Sequence, residues 1–290
     1  MTIISPQWTL LLGIAIASFI PLKVEWQKNA KVWSGKLLQW SVVLLGASLN
    51  FHEVIKQGAE GLGITAVSII LVFVLGWLGI KSFKIENKLG WLLTMGTAIC
   101  GGSAIGALAP VIAADATAIG VSIGIVFMLN ALAVYLFPFV GEFFQLTQEQ
   151  FGLWAALAIH DTSSVVAAGA IYGEKALEVA TTVKLTRALW IIPLTLMAGI
   201  IVKSNNRRFS IPWFIVAFLL VSVLFTFIDM PSSVKIGTVQ VCKLGFALTM
   251  FLIGLTCNLQ LLKTVGVRPL VFGLLMWIIV SAGSLAWIKL

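Results

Sequence analysis

The chain has 290 residues, of which 60% are hydrophobic and 10% are charged, and its mean hydropathy is +1.06. A soluble domain of this length carries about 25% charged residues, so the composition excludes a soluble globular protein and indicates a polytopic membrane protein. The net charge is +8, and the basic residues lie in short stretches between apolar segments. This placement is typical of residues that set membrane topology and does not indicate nucleic-acid binding. Three cysteines lack disulfide or metal-ligand spacing, so no disulfide framework follows, and neither a cofactor nor a metal is expected.

Ten apolar segments follow one another along the chain, and most approach the ~20 residues that a helix needs to cross the hydrocarbon. They lie at roughly 8–22, 36–55, 61–80, 88–113, 116–140, 149–171, 176–202, 211–228, 233–258 and 266–288. The sequence therefore predicts an all-α membrane protein in which residues 1–290 form a single polytopic transmembrane transporter domain.

Basic residues are unevenly distributed between the two sides if all ten segments cross the bilayer. The loops after odd-numbered segments contain Lys23, Lys28, Lys31, Lys36, Lys81, Lys84, Lys88, Lys203, Arg207, Arg208, Lys263 and Arg268. The other side has Lys56, Lys175, Lys235 and Lys289, with Lys184 and Arg187 at the start of segment 7. The positive-inside rule makes the richer side cytoplasmic and places both termini on the non-cytoplasmic side of the cell (inner) membrane.

An internal repeat relates LLGASLNF in segment 2 to LIGLTCNL in segment 9. Gly46 matches Gly254 and Asn50 matches Asn258, both at an offset of 208 residues. This offset spans seven segments, an odd number, so segments 1–3 and 8–10 are predicted to be inverted copies. Inverted repeats are typical of secondary transporters.

Segment 4 contains GTAICGGSAIGALA, a stretch with four glycines that each weaken a helix by about 1 kcal/mol relative to alanine. In lipid, broken backbone is tolerated where it lines a cavity, and discontinuous helices of secondary transporters bind substrates there. A substrate-binding loop is therefore predicted at Thr97, Cys100, Gly101, Gly102 and Ser103. The alternative is that small residues merely let helices pack closely.

Segment 6 contains HDTSSVVAAG, with a histidine and an aspartate inside an apolar stretch. An aspartate at the centre of a membrane helix costs about 2.5–3.5 kcal/mol and usually marks function. Asp161, followed by Thr162, Ser163 and Ser164, can cap a half-helix, and His160 can carry a proton or donate to an oxyanion. The alternatives are that Asp161 is only a cap and His160 only an interfacial residue.

Lys184 and Arg187 lie at i and i+3 in KLTRALWIIP, so both can face one cavity and supply positive charge to it. The alternative is that both extend their charges to the membrane surface. Segments 4 and 6 each fit either a broken helix that crosses the membrane or a re-entrant hairpin followed by one crossing helix. The pattern of loop charges agrees with both.

The stretches GTAICGGSAIGALAPVI, HDTSSVVAAGA, VKLTRALWIIP and IPWFIVAFL resemble, in this order, the YeiH-like family of sulfate exporters. This resemblance implies a multi-pass inner-membrane transporter related in fold to bile-acid and sodium–proton transporters. It also implies substrates such as sulfate or sulfonates, including sulfoacetate. The chain departs from the family at Ser163 and Ser164, where members often have Ala-Gln.

We therefore expect a secondary transporter that exports a small anion such as sulfate or an organosulfonate, and not an enzyme. The alternative is a Na⁺- or H⁺-coupled carrier of another small metabolite that uses Asp161 as its ion site. Intramembrane catalysis by Cys100 or a serine with His160 lacks any known catalytic spacing. The expected partners are the anion, the lipid bilayer and a coupling ion, with no nucleic acid; a homodimer is left open.

Overall fold

The computed structural model describes residues 9, 12–13, 15–17, 24–48, 50–202, 213–256 and 266–290, and its regular elements in these ranges are all helices. They are α1 (Val24–Leu45), α2 (Phe51–Ser82), α3 (Asn87–Ala98), α4 (Gly102–Leu108), α5 (Ala116–Phe143), α6 (Gln148–Ala158), α7 (Thr162–Tyr172), α8 (Glu174–Leu189), α9 (Ile191–Ile201), α10 (Trp213–Phe227), α11 (Ser232–Thr256) and α12 (Val267–Lys289). Within the described ranges, four helical stretches are long and apolar enough to cross a membrane: Val54–Ser82, Thr117–Phe143, Glu174–Ile201 and Val267–Lys289.

The chain divides into two compact units. Unit 1 comprises Met1–Gln57 and Pro212–Asn258, and unit 2 comprises Gly58–Ile211 and Leu259–Leu290. Both sequence motifs that carry polar residues lie in unit 2. The prediction that residues 1–290 act as one transporter domain stays a prediction.

In unit 1, helices α1 and α11 pack together and make matching hydrogen bonds. The Ser41 hydroxyl donates to the Leu37 carbonyl at 2.8 Å, and the Thr249 hydroxyl donates to the Gly245 carbonyl at 2.8 Å. These two pairs are related by the predicted offset of 208 residues. Ser41 also contacts Gly245 directly, so the two related stretches of α1 and α11 face each other.

The two glycines of the predicted repeat are also packed in a corresponding way within unit 1. A Cβ atom placed on Gly46 would lie 2.5 Å from the Phe218 carbonyl oxygen in α10. Gly254 in α11 is packed against Gly13: a Cβ atom placed on Gly13 would lie 2.9 Å from the Cα atom of Gly254. Residues 18–20 and Asn258, which complete the repeat, lie outside the described residues. The contacts support the inverted repeat, which stays a prediction.

The predicted boundaries of segments 2 and 3 are wrong. Residues 24–35, predicted as a lysine-rich loop, begin α1, and α2 begins at Phe51 and runs unbroken through residues 56–60. Glutamate, glutamine, lysine and alanine are strong helix formers, so a polar composition did not end the helix there. The new helix begins instead directly after Asn50. The side-chain oxygen of Asn50 accepts a hydrogen bond from the His52 amide at 2.9 Å, as an N-cap does.

Segment 4 is a helical hairpin, here called hairpin A, made of α3 and α4. Near its open end, the Lys88 ammonium donates to the Ala113 carbonyl at 2.8 Å. Near its tip, a Cβ atom placed on Gly96 would lie 3.0 Å from Cδ1 of Ile105. Residues nine and twenty-five positions apart therefore lie side by side, which requires the chain to reverse at residues 99–101.

Segment 6 is a second hairpin, hairpin B, made of α6 and α7. Its open end is closed by stacking of the Phe151 and Tyr172 rings, whose centroids are 3.8 Å apart, and by the Tyr172 hydroxyl, which donates to the Leu146 carbonyl at 2.6 Å. The chain reverses at residues 159–161. The chain thus reverses at the breaks in both segments, and the re-entry of these hairpins into a membrane stays a prediction.

Helix α5 connects the two hairpins, which lie along it from opposite ends. It starts beside the open end of hairpin A, and Val126 lies against the tip of that hairpin, 3.1 Å from a Cβ atom placed on Gly101. Further along, Asn130 bonds the tip of hairpin B, and Gly141 contacts Phe151 near the open end of that hairpin. With 28 residues, α5 is about 42 Å long, and the tips meet near its middle.

Helix α8 runs from the open end of hairpin B to both tips, packed closely against α6. A Cβ atom placed on Gly152 would lie 2.8 Å from the Ala176 carbonyl oxygen and 2.9 Å from Cβ of Val179. Helix α12 runs the length of unit 2: Phe272 near its start contacts Gly79, and Lys289 at its end donates to the Phe144 carbonyl at 3.3 Å.

We predict that Gly152→Ala destabilises the protein by about 1–3 kcal/mol, because the added methyl group meets helix backbone that cannot move aside. The matched control is Gly120→Ala in α5, where an added Cβ atom meets nothing within 4 Å. That change should leave the melting temperature unchanged or raise it, since alanine favours a helix over glycine by about 1 kcal/mol. Equal melting temperatures for the two variants would contradict the close approach of α6 and α8.

Candidate functional site

The site lies where the tips of the two hairpins meet in the middle of unit 2. A Cβ atom placed on Gly101 would lie 3.3 Å from Cβ of Asp161 and 3.5 Å from its amide nitrogen. Gly101 has φ +63°, a conformation that glycine adopts at little cost and that lets the chain reverse here. The structure therefore brings the two predicted motifs together.

Arg187 lies between the two tips and is fully buried. Its Nε donates to the Ala98 carbonyl at 2.7 Å and its Nη2 to the Thr97 carbonyl at 3.3 Å, both at the C-terminal end of α3. Its Nη1 donates to the carbonyls of Ala156 and Leu157, at the C-terminal end of α6. One guanidinium thus satisfies helix-end carbonyls of both hairpins.

Lys184 is also fully buried and lies one turn before Arg187 on α8. Its ammonium donates to the carbonyls of Ala156 at 3.2 Å and Ile159 at 2.6 Å, both in hairpin B. The two cations therefore both donate to carbonyls at the tip of hairpin B, and both side chains are buried inside the protein. Cations at helix C-termini also interact favourably with the helix dipole.

Asp161 caps the N-terminus of α7. Its Oδ1 accepts hydrogen bonds from the Ser164 amide at 2.6 Å and the Ser163 hydroxyl at 2.8 Å. Its Oδ2 accepts from the Asn130 side-chain amide at 3.1 Å. The predicted cap is confirmed, and the carboxylate is surrounded by donors. The prediction that it binds a coupling ion stays a prediction.

Asn130 on α5 is a residue of the site that sequence reasoning missed. Its side chain is 2% exposed, and its oxygen accepts hydrogen bonds from the backbone amides of His160 at 3.1 Å and Asp161 at 3.4 Å. Since its amide also donates to Asp161, it satisfies backbone and side chain at the tip of hairpin B. The signal in the sequence that could have identified Asn130 is its position as a lone asparagine inside an apolar segment.

His160 is the exception at this site, because its polar atoms are buried without a partner. The side chain is 1% exposed, and within the part of the chain that the structure describes neither ring nitrogen makes a hydrogen bond. A buried unpaired polar group costs about 1–3 kcal/mol, so one in a native structure calls for an explanation. Its backbone position is fixed by the bond to Asn130, which leaves the ring available for a ligand.

The remaining predicted residues lie around the tips and differ in exposure. Thr97, Cys100 and Ser164 are buried, Gly102, Thr162 and Ser163 are half-buried, and Ser103 is exposed. Among the described residues, no group of three or more histidine, cysteine, aspartate or glutamate side chains could hold a metal ion. Whether these residues contact a substrate stays a prediction.

Comparison with known proteins identifies relatives over nearly the whole chain. A family profile described as Conserved hypothetical protein 698 matches residues 1–273. A UPF0324 membrane protein of Bacteroides thetaiotaomicron is 43% identical over 98% of this chain and 86% of the relative. UPF0324 membrane proteins of Porphyromonas gingivalis and Bdellovibrio bacteriovorus are each 42% identical, over 99% and 97% of this chain and 88% of each relative. No solved structure matches. These names state a membrane protein and no substrate, so the YeiH-like assignment stays a prediction.

We predict that Asn130→Ala lowers the free energy of unfolding by about 3 kcal/mol, because it removes three hydrogen bonds, one of them to a charged group, and leaves buried partners unpaired. Thermal unfolding of the purified protein in detergent measures this loss. The matched control is Ser122→Ala, two turns earlier on α5, where a buried hydroxyl donates to the Ile119 carbonyl of its own helix and to no other described residue. A loss in the control as large as that in Asn130→Ala would contradict the role given to Asn130.

Proposed function

We propose that this chain, which belongs to the UPF0324 membrane protein family, is a secondary transporter that binds a small anion where its two hairpin tips meet. Secondary transporters place their sites near the bilayer midplane, at discontinuous helices whose ends point at the substrate. Hairpins A and B bring four helix ends together at the middle of a helix long enough to cross a membrane. The proposal is transport rather than catalysis.

The observation that carries the proposal is an excess of buried positive charge. Two helix C-termini and two helix N-termini meet at the tips, each equivalent to about half a charge, so these dipoles largely offset one another. Among the described residues at the tips, the side chains then contribute two cations, Lys184 and Arg187, and one carboxylate, Asp161. A net charge of about one positive unit away from water favours a bound anion.

The charge balance also distinguishes between anions. A monoanion would leave the site close to neutral, whereas a dianion would leave an uncompensated negative charge in a region of low polarity. We therefore propose that organosulfonate monoanions bind more tightly than sulfate. The export direction rests on the resemblance to YeiH-like exporters.

His160 supplies the hydrogen-bond donor that an anion needs. Its ring nitrogens are the unpaired buried polar atoms at the tips in the described part of unit 2, and an acceptor atom of the substrate would satisfy one of them. Asp161 does not compete for this role, because its carboxylate already accepts hydrogen bonds from α7 and Asn130. These contacts disfavour the alternative in which Asp161 binds Na⁺ or H⁺.

The first test is the change in melting temperature of purified protein with chloride, sulfate, methanesulfonate, sulfoacetate and acetate. An anion at a hundred times its dissociation constant stabilises the folded state by about 2.7 kcal/mol, which raises the melting temperature by several degrees. The largest rise is expected for methanesulfonate, which is a monoanion, whereas sulfoacetate carries two negative charges near pH 7. Lys184→Gln should abolish this rise, whereas Lys56→Gln, which removes the same charge from an exposed position on α2, should keep it. No rise with any anion would refute the anion site.

His160 gives a sharper variant of this test. We predict that His160→Leu weakens anion binding by about tenfold or more, since it removes a hydrogen bond to a charged ligand. The same change should leave stability unchanged or raise it, because it removes an unpaired buried polar group. Reduced stability together with unchanged anion binding would show that His160 has a structural role only.

The orientation proposed from the loop charges has support in the arrangement of unit 2. The open end of hairpin A and its neighbours carry four basic residues, Lys81, Lys84, Lys88 and Arg268. The open end of hairpin B and its neighbours carry two, Lys175 and Lys289. By the positive-inside rule, hairpin A enters from the cytoplasm and hairpin B from outside.

We predict that the C-terminus lies on the non-cytoplasmic side, because Lys289 lies beside Phe144 at the open end of hairpin B. Fusion of alkaline phosphatase, which is active outside the cytoplasm, after residue 290 should give high activity. A green fluorescent protein fusion at the same place should be dark if it is exported by the general secretory route. A bright fluorescent fusion with an inactive phosphatase would reverse the orientation.

A further inference from the structure

Arg187 and Lys184 differ in one respect that the sequence did not reveal. Both are fully buried on α8, both donate to backbone carbonyls, and both contact the Ala156 carbonyl. Lys184 donates to carbonyls of hairpin B, at Ala156 and Ile159. Arg187 donates to hairpin B and also to Thr97 and Ala98 of hairpin A.

We propose that Arg187 is a positioning residue that holds the tips of hairpins A and B together. The planar guanidinium presents its donors in a rigid fork: Nε and Nη2 bond one hairpin, and Nη1 bonds the other. A lysine ammonium is a compact point charge on a flexible stem and cannot reproduce this arrangement. The link therefore depends on the shape of the side chain as well as on its charge.

The two helix ends that Arg187 joins have the same sign. The C-termini of α3 and α6 each carry a partial negative charge and unsatisfied carbonyls, so they repel each other when they meet away from water. A cation placed between them removes the repulsion and satisfies the carbonyls together. Without it, the tips are expected to separate until water reaches the freed carbonyls.

The same hydrogen bonds leave Arg187 little capacity for a substrate. All three nitrogens of its guanidinium donate to the four carbonyls, so a substrate that took these donors would break the joint between the hairpins. Arg187 therefore contributes charge to the site through its position, and direct contact with an anion falls to other groups. The role of Arg187 as a joint does not depend on which substrate is carried.

Native cysteines provide a test that needs no substrate. Cys100 lies at the tip of hairpin A and is 4% exposed, so it reports separation of the tips. Cys242 on α11 in unit 1 is 2% exposed and reports loss of the fold as a whole. The full chain with Cys257→Ala is labelled in native membranes with N-ethylmaleimide, and the modification of each cysteine is followed by mass spectrometry.

We predict that Arg187→Gln and Arg187→Lys both raise the labelling rate of Cys100 by about tenfold or more, with Cys242 still protected. Lys184→Gln should change the rate less than about twofold, because it leaves the bonds to hairpin A in place. Protection of Cys100 in Arg187→Lys would show that charge alone suffices and would overturn the proposal.

Two further outcomes would also overturn it. If Lys184→Gln exposes Cys100 as strongly as Arg187→Gln, the two cations act only through their shared charge. If the Arg187 variants expose Cys100 and Cys242 together, Arg187 supports the whole fold and not the joint between the hairpins. A transporter without an anion site would still show the predicted labelling pattern, so the proposed function and this inference fail separately.

Discussion

The carbonyl groups at the hairpin tips impose the constraint on which the rest of unit 2 depends. A helix that ends inside an apolar region leaves its last carbonyls without partners in that helix, and lipid supplies none. Lys184 and Arg187 supply them, which requires α8 to pass beside both tips. The absence of a side chain at Gly152 lets α8 come close enough to α6 to do so. The position of α8 thus follows from the need to satisfy backbone groups.

Charges at the tips are arranged by the sign of the helix end that each one meets. The two cations bind at helix C-termini, and the carboxylate of Asp161 binds at the N-terminus of α7, each in its favourable position. Asn130 then satisfies the backbone of the intervening turn. Among the tip residues described, the fully buried side-chain nitrogen and oxygen atoms without such a structural partner are the two ring nitrogens of His160. Their lack of a partner indicates that the ring is available for a ligand.

The sequence allowed the local chemistry of the site to be predicted better than its architecture. The glycines around residue 101, the cap at Asp161 and the shared face of Lys184 and Arg187 all follow from short spacings. The reversal of the chain at each tip did not follow, because a break in a helix carries no information about the direction in which the chain continues. The contact between Arg187 and Ala98 joins residues 89 positions apart, which no local pattern encodes. The helical start of α1 was missed because hydropathy reports burial in lipid rather than helix formation.

The long separation between Arg187 and hairpin A has a consequence for biosynthesis. The carbonyls of Thr97 and Ala98 leave the ribosome 89 or more residues before the guanidinium that satisfies them. At about 5–20 residues per second, this interval lasts roughly 5–20 s. During that time the carbonyls at the end of α3 lack their hydrogen-bond donor, and lipid cannot supply one. Hairpin A is therefore expected to wait at the insertion machinery or the membrane surface. Hairpin A would then enter the bilayer late, after α8 has been synthesised and has reached the membrane.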